Sequence, residues 1–190
     1  MNVRFRRTGA RRYAVVVTLA GEPPRALDPA PGYDDDIPHD LVHYVVEAAL
    51  GLRTGVYGRA ARGAGTFITT RERDVSPRER ARRQRKQQKR ERALGAEDAR
   101  HAADMAQSER LAALCDVAWR RKHGQQPDPL RSAPVPRTAD AADVERVVSH
   151  LDSIAPLWRA LPVGGELVFE WPTVVPTQPH QQNPEPREEV

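Results

Sequence analysis

Residues 71–92, "RERDVSPRERARRQRKQQKRER", set the limits within which this chain can fold. Eleven Arg or Lys stand against four Asp or Glu, a net +7, and Val75 and Ala81 are the only aliphatic side chains. Such a run cannot bury enough apolar surface to enter a core. The core must therefore come from the segments on either side of it. Ser76 and Pro77 have the form of a helix N-cap and first helical residue, and good helix formers follow, interrupted at Gly95, as far as Lys122. An apolar stripe through Ala103, Leu111, Leu114, Val117 and Ala118 belongs only to the second half of that stretch. Within the 71–123 region, residues 77–93 are thus expected to project as a long basic helical arm, and residues 96–122 to dock.

Upstream of the arm, "VRFRR" (3–7) and "RRYAVVVTL" (11–19) surround the short link "TGA", the pattern of a hairpin. Val3 and Phe5 alternate with Arg4 and Arg6, and Tyr13, Val15, Val17 and Leu19 share one face of the second strand. Residues 21–36 read as a Pro- and Asp-rich connection. A helix follows from Pro38 to Leu50, capped by Asp35 or Asp36, with Leu41, Val42, Val45, Val46 and Ala49 on one arc and Gly51 as its stop. "TGVYGRAARGAGTF" (54–67) reads as an irregular loop.

Downstream, residues 124–139 form a linker. An amphipathic helix over 140–155 is built on Val144, Val147, Val148, Leu151 and Ile154, and Pro156 is expected to end or kink it. "GGELVFEWP" (164–172) is a last strand with Leu167, Phe169 and Trp171 on one face, and residues 173–190 are a tail that composition makes disordered. The fold expected is α+β. A small antiparallel sheet from 3–7, 12–19 and 166–171 packs on the 38–50 and 140–155 helices, so that residues 1–70 and 140–172 share one core across the inserted arm.

The totals agree with a core smaller than the chain. Hydrophobic residues make up 39% of the 190, and there are 17 prolines with a mean hydropathy of −0.67, against an apolar share of about 45–50% in globular domains. Net charge is +4 with a pI near 9.6, but only Lys86, Lys89 and Lys122 among the 30 basic residues are lysine. That arginine bias is what a GC-rich genome produces, so the location of the charge says more than its sum. Cys115 is the only cysteine, which excludes an intramolecular disulfide and a cysteine-based zinc cluster and suits a reducing cytoplasm. The N-terminal "AVVVTLA" is broken by Thr18 and reads as a strand, not a signal peptide. No apolar run approaches the roughly 20 residues of a membrane span.

Chemistry concentrates in "IPHDLVHYVVE" (37–47), where His39, His43 and Glu47 recur every fourth residue. On a wheel of 100° per residue with His39 at zero, His43 falls at about 40° and Glu47 at about 80°, while the apolar residues span about 200–340°. The stripe is the border of the buried face. Histidines at i and i+4 can point at one ion, zinc by donor type, with Glu47 extending the row as a third ligand or base. Asp40 occupies the place where the zinc-hydrolase motif H-E-x-x-H carries its general base. Asp is one methylene shorter than Glu, however, and the third histidine of the extended motif would fall at Ala49. A third ligand would have to come from afar, with His101, His150 or Glu72 available. A core helix edged by two hydrogen-bonded histidines accounts for the same residues without a metal. Asp34, Asp35, Asp36 and Asp40 suit the positive end of that helix, although such a cluster could also hold Mg²⁺ or Ca²⁺.

"GVYGRAARGAG" lacks the G-K-[ST] of a phosphate loop and the G-x-G-x-x-G of dinucleotide folds. Cys115, among Leu and Val, reads as a packed small hydrophobe. In the arm, Arg78, Arg82, Arg83, Arg85, Lys86, Lys89 and Arg90 could follow a phosphate backbone or an acidic protein partner, and Glu72, Glu79 and Glu91 could instead pair with them locally. No aromatic residue accompanies them, which argues against single-strand base recognition. The run "YDDDIPHDLVHYVVEAALGL…GVYGRAARGAGTF" resembles a group of proteins from high-GC actinobacteria that share a P-H-D-L-V-H helix. The likeness covers roughly the first 70 residues and implies no particular activity. Two functions are expected from the residues: a binding or regulatory protein whose arm meets an anionic partner, or a metal-dependent hydrolase built on His39 and His43.

Overall fold

The computed structural model describes residues 1–65, 67–69, 78, 82, 85, 86, 88, 89, 98–126 and 140–177, with only the backbone described at 69 and 98–104. The hairpin forms as the alternation requires. Strands β1 (Asn2–Gly9) and β2 (Arg12–Thr18) pair antiparallel, with Val3 opposite Val17 and Phe5 opposite Val15. On the other side of β1 lies β5 (Glu166–Glu170), with Leu167 opposite Phe5 and Phe169 opposite Val3. Two short strands extend the opposite edge. These are β3 (Arg25–Leu27) and β4 (Ile68–Thr69), giving the antiparallel order β4-β3-β2-β1-β5. The three residues of β3 lie inside the stretch read as a connection. They form a strand because β2 offers an unpaired edge to Ala26 and Leu27.

One face of the sheet carries Val3, Phe5, Tyr13, Val15, Val17, Leu167 and Phe169, all buried. On the opposite face Arg4 and Arg6 flank Glu166 across the strands, so that face is wet at this point. Four helices are described: α1 (His39–Leu50), α2 (Val56–Ala61), α3 (Asp98–Lys122) and α4 (Ala141–Arg159). Helix α1 meets the sheet through Tyr44, whose ring packs against Phe5 and Phe169. Helix α4 meets it through Trp158, set edge-on to Tyr13. Helix α3 packs on both α1 and α4, burying Leu111, Ala112, Cys115 and Trp119. The architecture is α+β, and β1 and β5 bring the two ends of the core together in one sheet.

Several local expectations change. Neither Asp35 nor Asp36 caps α1. Pro38 occupies the N-cap position and offers no side-chain acceptor, while the Asp34 carboxylate accepts the N–H groups of Asp36 and Ile37 just ahead of the helix. Asp36 is held instead by Gln125 and Arg159, Asp35 by Tyr33 and Arg7, and Asp34 also by Arg120. Each of these carboxylates is engaged by different donors or cations, and none of the three belongs to the group of potential metal ligands found among the described residues. The stop at Gly51 is as expected, in the left-handed conformation at φ 68°. Pro156 lies inside α4 and does not end it. The helix runs three residues further, because the buried Trp158 fastens its last turn to the core.

Tail residues up to Thr177 lie along the sheet, where the Thr177 N–H and hydroxyl both donate to the Val168 carbonyl. Linker residues 127–139 and tail residues 178–190 lie outside the described residues. No helix among the described residues is long and apolar enough to cross a membrane.

Cys115 faces α4 from the buried side of α3 and is fully inaccessible. Burial, with Asp143 and Asp116 nearby, pushes its thiol up to about 12. A thiol-specific disulfide reagent at mildly alkaline pH is therefore expected to leave the native protein unmodified and to release one equivalent only after denaturation. Rapid stoichiometric labelling of native protein would show that α3 leaves α4 readily.

Candidate metal centre

Segment 54–65 holds the key to the site. It contains α2, a helix too short to stand alone and therefore dependent on partners at both ends. At its N-terminus three N–H groups have no partner within the helix. The Glu47 carboxylate takes all three: Oε1 accepts from Val56 at 2.7 Å, and Oε2 from Tyr57 at 2.9 Å and Gly58 at 3.3 Å. At the other end the buried Arg25 of β3 donates to the carbonyls of Ala60 at 2.8 Å and Ala64 at 3.2 Å. An anion at the positive end and a cation at the negative end both suit the helix dipole. The irregular loop expected here is thus a helix made by two distant charges.

Glu47 is fully buried. Burial pushes its carboxyl up, and the Ser108 hydroxyl and the Tyr57 and Val56 N–H groups pull it back. This carboxylate is committed to α2 and does not reach into the histidine pair, so the roles of third metal ligand and general base expected of it have no geometric support. Its contribution is indirect. Ser108 of α3 donates its hydroxyl to Glu47 Oε1 at 2.9 Å, and His43 Nδ1 lies 3.3 Å from Ser108 Oγ. The single hydroxyl proton is used on Glu47, so the serine oxygen accepts from His43 Nδ1–H. A neutral imidazole protonated at Nδ1 keeps its lone pair on Nε2.

That lone pair points at the remaining donors. His43 Nε2 is 3.1 Å from His39 Nε2, with the two rings nearly perpendicular at 87°. Glu109 of α3 brings Oε2 to 3.4 Å from the same His43 nitrogen. One ligand atom from each of His39, His43 and Glu109 lies within 4.8 Å of the other two. Nitrogens bound to one tetrahedral zinc at about 2.0–2.1 Å stand about 3.3 Å apart, close to the separation seen between the two histidines. His43 is buried, His39 half-buried and Glu109 exposed, so the cluster opens to solvent on its α3 side.

The other expected participants lie elsewhere. The Asp40 carboxylate accepts the Tyr13 hydroxyl at 2.8 Å, and its own carbonyl accepts that of Tyr57. Burial raises the Asp40 carboxyl, opposed by the Tyr13 hydrogen bond. It buttresses the site without joining the ligand cluster. His150 sits on α4, outside the cluster, and Glu72 and the His101 side chain are outside the described residues.

Glu109 is the participant sequence reasoning missed. It lies in "QSERLAAL", an unremarkable polar stretch, and only the packing of α3 on α1 reveals it. Its neighbour Ser108 is buried at the same contact, and a buried serine beside an exposed acid has no periodic signature of its own.

In the arm, Arg78, Arg82, Arg85, Lys86 and Lys89 are helical and exposed, with Lys86 3.1 Å from Glu22. Arg83 and Arg90 lie outside the described residues. Compared with protein-family models, with curated proteins and with solved structures, the chain finds no match in any of the three.

Proposed function

We propose that this protein binds a divalent transition-metal ion, with zinc the ion its donors suit, through His39, His43 and Glu109. The observation that carries this reading is the chain Glu47–Ser108–His43. A buried carboxylate acting through a hydroxyl fixes the tautomer of His43 that presents a lone pair to the cluster, which is how metal-bound histidines are ordinarily oriented by their surroundings. A histidine that merely edged a core would need no such arrangement at both ring nitrogens. Two imidazoles and one carboxylate form a three-ligand set of the kind found in hydrolytic zinc sites, where a water fills the fourth position and is activated there. This favours the metal-dependent hydrolase over the anion-binding arm, for which charge alone speaks. Asp40, hydrogen-bonded to Tyr13, is not the base in this reading.

Zinc titrated into metal-free protein, followed by calorimetry and elemental analysis, is expected to give one bound equivalent. The double variant His39→Ala/His43→Ala should bind none. Ser108→Ala, which keeps all three ligands but frees the His43 ring, should weaken binding by about 10–100-fold. A folded wild type that retains no ion after incubation with zinc would remove the reading.

A further inference from the structure

The basic arm has an arrangement as well as a charge. Arg78, Arg82, Arg85, Lys86 and Lys89 are helical, and their side chains are exposed. At about 100° per residue, Arg78, Arg85 and Lys89 fall within about 40° of one another, a single row along one side. Arg82 and Lys86 widen the row to an arc of about 100°, with Gln88 outside it. At a rise of about 1.5 Å per residue, the row from Arg78 to Lys89 is about 16 Å long.

Two of the five cations are engaged. Lys86 lies 3.1 Å from Glu22, and Arg82 has a partner as well. Arg78, Arg85 and Lys89 have no hydrogen-bond or ion-pair partner among the described residues, and they are the three that share the narrow row. Residues 71–92 carry +7 and the whole chain +4, so the rest of the chain is net −3. A polyanion is therefore attracted to the arm and repelled by the remainder.

The chemistry of the arm distinguishes one polyanion from another. Protein interfaces are anchored by buried aromatic and apolar side chains, and charge is depleted at their centres. A helix that lies on a membrane surface needs an apolar face too. Residues 71–92 contain no aromatic residue, and Val75 and Ala81 are their only aliphatic side chains. A phosphate backbone requires no such anchor, because its contacts are charged and independent of sequence. Single strands are held largely by bases stacked on aromatic rings, which leaves the duplex as the form this row suits. We infer that the protein has a second function, sequence-independent binding of double-stranded nucleic acid, with Arg78, Arg85 and Lys89 on its phosphates. None of the three belongs to the metal cluster, so this function stands or falls separately from zinc binding.

The test titrates full-length, metal-free protein into a fluorescent mixed-sequence DNA duplex of about 24 base pairs, read by anisotropy between about 50 and 200 mM salt. The duplex is expected to bind, with log K falling against log salt at a slope of about −3 or steeper. That slope comes from the wild type and needs no variant. Arg78→Gln/Arg85→Gln/Lys89→Gln should flatten it by about 3 and weaken binding at about 100 mM salt by at least about tenfold. Arg11→Gln/Arg110→Gln/Arg121→Gln removes the same charge from exposed positions outside the arm and should change affinity less than about threefold. Four results would each overturn the inference. The first is no binding of the duplex at the lowest salt. The second is an equal loss in the two triple variants, which would make net charge the cause and not the row. The third is tighter binding of a single strand of the same length. The fourth is tighter binding of a poly-glutamate peptide or of phosphatidylserine vesicles, which would give the row to an acidic protein or a membrane.

Discussion

Glu47→Ala is expected to lower stability by about 3–5 kcal/mol, because it removes the shared acceptor of several buried or part-buried donors. Three N–H groups of α2 and the Ser108 hydroxyl lose their common acceptor at once. Gly55→Ala is expected to cost a similar amount for a steric reason. A Cβ at Gly55 would stand 2.2 Å from Glu47 Oε1, 2.3 Å from Cδ and 2.6 Å from Oε2. The backbone does not require glycine there, since φ is −71°; only the carboxylate does. That carboxylate cannot swing aside, being buried and tied to four donors. The two changes should therefore be strongly non-additive. Once Glu47 is shortened, the alanine methyl enters vacated space, and the double variant should be little worse than Glu47→Ala alone. Denaturant titration of the four proteins gives the coupling directly, expected at about 2–3 kcal/mol. Additive costs would mean that Gly55 is small for some other reason. Against a total stability of about 5–15 kcal/mol, either single change leaves a much weakened fold.

That pair shows where the sequence is legible and where it stops. Strands β1, β2 and β5 and helices α1 and α4 are readable because each carries a stripe at its own period: Val3 and Phe5, Tyr13 to Val17, Leu41 to Ala49, Val144 to Ile154. Helix α2 has no such stripe. Its six residues, "VYGRAA", contain a glycine, and its helicity comes from Glu47 and Arg25, distant in sequence. Periodicity cannot report a cap supplied by another element. The same holds for β3, whose three residues are a strand only because β2 needs a neighbour.

The site is legible to the same extent. His39 and His43 stand out because i and i+4 on one helix is a local relation, and the structure sets their nitrogens together. Glu47 belongs to the same row, and the row assigns it a ligand's place. The assignment fails because the wheel reports angle and not depth. At about 80° from His39, Glu47 faces the junction of α2 and α3, which no property of α1 alone reveals. Ser108 stands 61 residues from Glu47 and 65 from His43, and Glu109 follows it in the chain, so the completion of the cluster is a tertiary event.

The second large effect is expected at Trp158, at the opposite end of that assembly. Trp158→Ala should destabilise the protein by about 3–5 kcal/mol, the usual cost of removing a buried aromatic ring. The indole is fully inaccessible, set edge-on to Tyr13 at 5.8 Å and tilted against Tyr33 at 6.5 Å. Its Nε1–H donates to the Asp34 carbonyl at 3.0 Å, so one side chain joins the end of α4 to the segment that leads into α1. That segment places His39, whose N–H donates to the Gly32 carbonyl at 3.1 Å. Trp158→Phe separates the two contributions. It keeps a ring between Tyr13 and Tyr33 and loses the one hydrogen bond, so it should cost only about 1–2 kcal/mol. Zinc titration of both variants then tests whether the 30–38 segment positions the first histidine. The alanine variant, where still folded, should bind zinc more weakly than the phenylalanine variant. Equal affinities would mean that α1 and α3 alone set the cluster, with the loop following the helix it precedes.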